Sequence, residues 1–117
     1  MNPAVLVGIG GMLGALSRHF VGQRLSGDGQ ATLAVNVLGS FVLGTLTTGL
    51  TTDPELLTLF GTGFCGAFTT FSSFAFETVR LYERGKRREA ISNATVNLVG
   101  ALAAVALGGV AASTISF

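Results

Sequence analysis

The chain has 117 residues, room for one domain, and only 11% of them are charged while 49% are hydrophobic. Soluble domains carry about 25% charge, so the composition excludes an ordinary soluble protein. The formal net charge of +1 says nothing about partners, no basic stripe interleaved with aromatics suggests nucleic acid, and the lone Cys65 excludes an internal disulfide or a cysteine metal cluster.

The first uncharged stretch, residues 1–17, gains a further turn when Arg18 snorkels to the interface. It has no basic start and no clear cleavage site, so it is expected to be a membrane helix and not a removable signal. Gly10 and Gly14 form a G-x-x-x-G pair that lets another helix approach closely. A connection carrying Arg24 and Asp28 leads to the second stretch, residues 29–52. There Asn36, Ser40 and Thr47 fall in a narrow sector of the helical wheel, because their offsets nearly close whole turns. Ser40 and Gly44 repeat the small-x-x-x-small packing pattern.

The third stretch, residues 56–76, follows the Asp53-Pro54-Glu55 turn and contains the most informative run of the chain, Gly63-Phe-Cys-Gly66-Ala-Phe-Thr69-Thr70-Phe71-Ser72-Ser73-Phe74. A glycine, two β-branched threonines and two serines loosen the helix at its centre. Lipid offers no water to loose backbone, so a break at this depth survives only when buried in protein or facing a wet cavity. Such breaks point to an ion or substrate site. Thr69, Ser73 and Glu77 recur at four-residue spacing from the run toward the basic end. The fourth stretch, residues 90–117, carries Asn93 and Asn97 four apart, and Gly100, Ala104 and Gly108 as a packing face. Since about 20 residues cross the hydrocarbon, the expectation is an all-α membrane protein. It is a single four-helix transmembrane domain over residues 1–117 with a broken third helix.

A single Ser or Thr in such a span commonly bonds a neighbouring helix or the preceding turn. Three polar stripes in three helices read instead as a polar track. Catalysis would need a nucleophile with a base in reach, and the one histidine, His19, reads as an interfacial residue beside Arg18; the chain is not expected to be an enzyme. Glu77 is the only candidate intramembrane carboxylate, near enough to a helix end to snorkel or pair with Arg80. Hydroxyls, amides, rings and freed backbone groups suit passive conduction of a small ion. All seven basic residues (Arg18, Arg24, Arg80, Arg84, Lys86, Arg87 and Arg88) fall on the side of the connections after helices 1 and 3. The positive-inside rule assigns that side to the cytoplasm and both termini to the outside of the cell membrane.

Three motifs carry a resemblance: Gly10-Gly11-x-x-Gly14-Ala15-x-x-Arg18, then Thr32-Leu33-x-Val35-Asn36-x-x-Gly39-Ser40-Phe41-x-x-Gly44, then Gly63-Phe64-x-Gly66-Ala67-Phe68-Thr69-Thr70-Phe71-Ser72-Ser73-Phe74-x-x-Glu77. In this order, over essentially the whole chain, they resemble the small fluoride-channel family, Fluc or CrcB. The resemblance implies an antiparallel dimer with two fluoride pathways that passively exports cytoplasmic fluoride and so lowers its toxicity. It implies a structural sodium ion, not transported, held at the dimer centre by backbone oxygens of Gly66 and Thr69. It implies a fluoride pathway past Asn36, Phe71, Ser72, Ser73 and Phe74, with ring edges of the two phenylalanines facing the anion; packing is the alternative role of those rings. Position 73 is Ser where the family commonly has Thr. Arg18 is either an interfacial snorkel or a charge that concentrates anions at a vestibule. Glu77, Asn93 and Asn97 are further candidates, the two asparagines resting on the sequence alone. Two rivals are a small four-helix multidrug exporter, which would call for an acid that helix 1 lacks, and a membrane subunit that only scaffolds a partner. The seven-to-none charge bias favours an oppositely oriented homologue as the second subunit, with a homodimer also able to form.

Overall fold

The computed structural model describes residues 1–25 and 29–115; Asp28 and the last two residues of the fourth predicted span lie outside the described residues. Four helices are long and apolar enough to cross a bilayer: α1 (Pro3–Arg24), α2 (Gln30–Gly49), α3 (Pro54–Glu83) and α4 (Arg87–Ile115). Local chemistry sets their ends. The Asn2 side chain accepts from the Ala4 N–H at 2.8 Å with Pro3 at the first helical position, and Asp53 accepts from the Glu55 N–H at 2.9 Å ahead of Pro54. Between α3 and α4, Gly85 has φ 81°; Gly85 N–H bonds the Tyr82 carbonyl at 3.1 Å and Lys86 N–H bonds the Leu81 carbonyl at 2.9 Å. That pair of hydrogen bonds, with a left-handed glycine, closes the C-terminus of α3 and reverses the chain. The helices run past the uncharged stretches, through Arg24 in α1 and from Arg87 in α4. Hydropathy marks where lipid ends, while the helical bonding continues into the polar interface.

Two pairings build the bundle, and both depend on glycine. A Cβ at Gly10 would run into the Leu59 carbonyl oxygen and one at Gly14 into that of Phe64, so α1 lies backbone to backbone on the first half of α3. Likewise Gly44 abuts the Val105 carbonyl and Gly108 that of Phe41, which seats α2 on α4. Ser40, read both as a packing residue and as part of the polar sector, lines a cavity, and the close approach to α4 is seen at Gly44. The part of α3 against α1 is a wide π-helix, Leu57–Cys65, and α2 ends in another, Leu46–Leu50, closed by Gly49 at φ 110°. Long apolar side chains such as Met12, Leu16, Leu102 and Leu107 stand outward, as a lipid-facing surface requires. The amino group of Met1 lies 3.1 Å from Glu55 Oε2, which ties the chain's start to the α2–α3 turn. All seven basic side chains belong to the opposite end of the bundle.

Candidate functional site at the helix break

The α3 helix stops at Phe68 and resumes at Ser72. Thr69 is extended, with φ −80° and ψ 162°, whereas Gly66 is regular helix at φ −61° and ψ −36°. The break therefore lies at the threonines of the run, three residues beyond Gly66. Glycine lowers helical stability by only about 1 kcal/mol relative to alanine, and permits a break without imposing one. At the break, the polar groups of Thr70 bond outside the helical ladder. Its N–H donates to Asn36 Oδ1 at 2.8 Å, and its carbonyl accepts from Asn36 Nδ2 at 3.0 Å. Its hydroxyl oxygen accepts from the Ser73 N–H at 3.1 Å, a cap on the first turn of the second half of α3. Thr69 N–H and Oγ1 both donate to the Cys65 carbonyl, at 3.1 and 2.9 Å, closing the first half. Among the described residues, the Gly66 carbonyl is left without a backbone N–H.

An open cavity of about 1280 Å³ faces the break. Its wall includes Asn36, Ser40 and Thr47 of α2, Gly66, Thr69, Phe71 and Phe74 of α3, and Asn97 of α4. The polar sector predicted on α2 is thus one side of a real concavity. Phe71 is 79% exposed and its ring centroid lies 5.8 Å from that of Phe74, the planes tilted by 56°. Ser72 is exposed and Ser73 half-buried, and neither lines this cavity; the Ser72 hydroxyl lies 3.4 Å from that of Thr70. Asn97 is buried, donates to the Asn93 carbonyl at 2.9 Å, and has an Oδ1 without a partner among the described residues.

The stripe Thr69, Ser73, Glu77 does not survive as one face, because the break interrupts the helical count between its first two members. Glu77 lies in a second, smaller cavity of about 180 Å³ with Gly29, Arg80, Arg84 and Asn93. It is not paired with Arg80 among the described residues. Its Oε2 accepts from Thr32 Oγ1 at 2.8 Å and its Oε1 has no partner. Asn93 Nδ2 donates to Thr78 Oγ1 at 2.9 Å, linking α4 to the second half of α3. Arg18 is half-buried on α1 and lines neither cavity. Thr32, Thr70 and Thr78 are the functional-region residues that the sequence stripes left out. Among the described residues no group of His, Cys, Asp and Glu is arranged to hold a metal ion, so any cation here would rest on oxygens of other kinds.

The model of the family described as CrcB-like protein, Camphor Resistance (CrcB), matches residues 5–109. A protein of Haloarcula marismortui named fluoride-specific ion channel FluC 2 is 49% identical over 110 residues, covering 92% of this chain and 91% of its own. A fluoride-specific ion channel FluC of Gloeobacter violaceus is 43% identical, covering 98% of this chain and 99% of its own. One of Methanocaldococcus jannaschii is 41% identical over 95% and 94% of the two chains.

Proposed function

The chain belongs to the CrcB-like family, and from that premise we propose that it is a multi-pass membrane channel conducting fluoride passively and selectively. The observation that carries the proposal is the break at Thr69–Phe71 opening onto a cavity edged by aromatic rings and amides. Fluoride is small and strongly hydrated, so a pore must offer donors in place of water without holding the ion too tightly to leave. Ring edges of Phe71 and Phe74, positive by the aromatic quadrupole, supply such a surface. Amides at Asn36 and Asn97 and the hydroxyls of Ser40 and Thr47 continue it along the cavity wall, while Ser72 and Ser73, outside that wall, are proposed to serve the pathway beyond it. Arg18 and the smaller cavity at Glu77 and Asn93 stand toward the basic end, where anions would gather before entry. In the cell this conduction exports fluoride that entered as neutral acid and ionised in the cytoplasm.

A structural sodium ion belongs to the same proposal. The donors fit: the Gly66 carbonyl lacks a helical N–H, and Thr69 is extended where the helix is interrupted. Backbone carbonyls are hard oxygen donors of the kind that broken helices offer to sodium. Bound there, the cation would supply positive charge where two antiparallel subunits meet. The second subunit is proposed to be an oppositely oriented homologue, with the basic end of this chain in the cytoplasm.

Fluoride release from liposomes containing the purified protein tests the function. Rapid fluoride loss with chloride retained is expected; release no faster than from protein-free liposomes would overturn it.

A further inference from the structure

Thr70 follows Gly66 by four residues, so an unbroken helix would send the Thr70 N–H to the Gly66 carbonyl. In the structure that N–H goes to another helix, to Asn36 Oδ1 at 2.8 Å, while Asn36 Nδ2 returns a bond to the Thr70 carbonyl at 3.0 Å. We propose that Asn36 is a positioning residue that creates the helix break: its amide stands in for a backbone peptide, pairs with both polar groups of Thr70, and so releases the Gly66 carbonyl for cation binding. The inference rests on the sodium reading above for its functional consequence, and on geometry alone for the break.

Thr70 is buried, so its N–H requires a partner, and Asn36 and Gly66 compete for it. Asparagine suits the task because one short side chain carries a carbonyl acceptor and an N–H donor side by side, matching the edge of a peptide. Serine offers neither the reach nor the paired geometry, and leucine offers no polar atom. One turn earlier on α2, Thr32 holds Glu77 at 2.8 Å. The second half of α3, Ser72–Glu83, is thus tied to α2 just before its start and again at its middle, which fixes the direction in which it leaves the break. One donor and one acceptor of the Asn36 amide are committed to Thr70, and its second N–H remains for the cavity that Asn36 also lines.

The test uses the full chain in bilayers with a ¹³C-labelled Gly66 carbonyl, read by solid-state NMR in sodium-free buffer, beside fluoride release. A carbonyl resonance moves downfield when its oxygen accepts a hydrogen bond. In Asn36→Leu the Thr70 N–H returns to Gly66, so the resonance moves downfield and release falls about tenfold or more. Asn36→Asp keeps a carboxyl oxygen for the Thr70 N–H, so its Gly66 resonance stays at the parent position even where the altered side chain slows release. A Gly66 resonance unchanged in Asn36→Leu, or a downfield shift in Asn36→Asp, overturns the inference. Absence of fluoride release by the parent would remove the channel reading while the resonance still decides the role of Asn36.

Discussion

The methyl group of Thr69 occupies the place where a Cβ on residue 39 would stand, and the Phe68 ring lies 3.3 Å from the same point. Gly39 is therefore the socket on α2 that receives the break in α3. Asn36, one turn away, holds the next residue by hydrogen bonds. Gly39→Ala is expected to force Thr69 outward, with a destabilisation of about 1–3 kcal/mol as for other overpacked sites. Thermal unfolding in detergent, with fluoride release from liposomes, checks it; a variant as stable and as active as the parent would show that the socket is not required.

Thr69 itself is expected to tolerate loss of that methyl. Thr69→Ser retains the hydroxyl that donates to the Cys65 carbonyl at 2.9 Å, and the proposed ligand is the main chain, which every residue has. Release within about threefold of the parent is expected, since less than about 1 kcal/mol is at stake. A loss of a hundredfold would mean that the side chain does more than pack and cap.

The phenylalanine pair separates ring chemistry from bulk. Phe71→Ile and Phe74→Ile preserve much of the volume and remove the quadrupole. Because Phe71 is largely exposed to the cavity, its replacement has little packing to disturb. A fluoride release lowered at least about tenfold, equal to about 1.4 kcal/mol of barrier, is expected in protein that elutes and unfolds like the parent. Unchanged release in both variants would return the rings to a packing role.

Thr32→Val probes the strap on Glu77. The carboxylate would lose its one hydrogen-bond partner among the described residues while its other oxygen already lacks one. Leaving a buried acceptor unmet costs about 1–3 kcal/mol. A drop in melting temperature larger than that of Thr58→Val is expected, since the Thr58 hydroxyl bonds only the preceding turn, at the Pro54 carbonyl. Equal melting temperatures for the two would mean that the strap carries no stability.

Much of this architecture was legible in the chain. Four apolar stretches gave four helices, and the run from Gly63 to Phe74 marked the interrupted one. The G-x-x-x-G spacing of Gly10 and Gly14 identified a contact face because small residues have few other uses at that depth. The threonines and serines of that run marked where the helix is interrupted, but not the partner of the break: Asn36 is 34 residues from Thr70, and a helical wheel sees one helix at a time. For the same reason Thr32, present in the second motif, was given no role of its own, its partner Glu77 being 45 residues away. The stripe of Thr69, Ser73 and Glu77 misled because it assumed a constant 3.6-residue turn across a segment that abandons it.

Orientation is the point on which the assembly turns. The seven basic residues lie at one end of the bundle, and the end formed by Met1 and the Asp53–Glu55 turn has none. A chain that inserts equally in both directions requires little Lys and Arg bias between its faces, because that bias sets the direction of insertion. A single predominant orientation is therefore expected, with the Asp53 turn outside and Arg87 in the cytoplasm, and with an oppositely biased homologue completing the antiparallel pair. Single cysteines introduced at Thr52 and at Arg88, in a Cys65→Ala background that removes the one native thiol, report it when labelled in intact cells by a reagent that does not cross membranes. Labelling at Thr52 with protection at Arg88 until the cells are opened is the expected pattern. Equal labelling of both sites from outside would establish dual insertion, and would make two copies of this chain sufficient for the dimer.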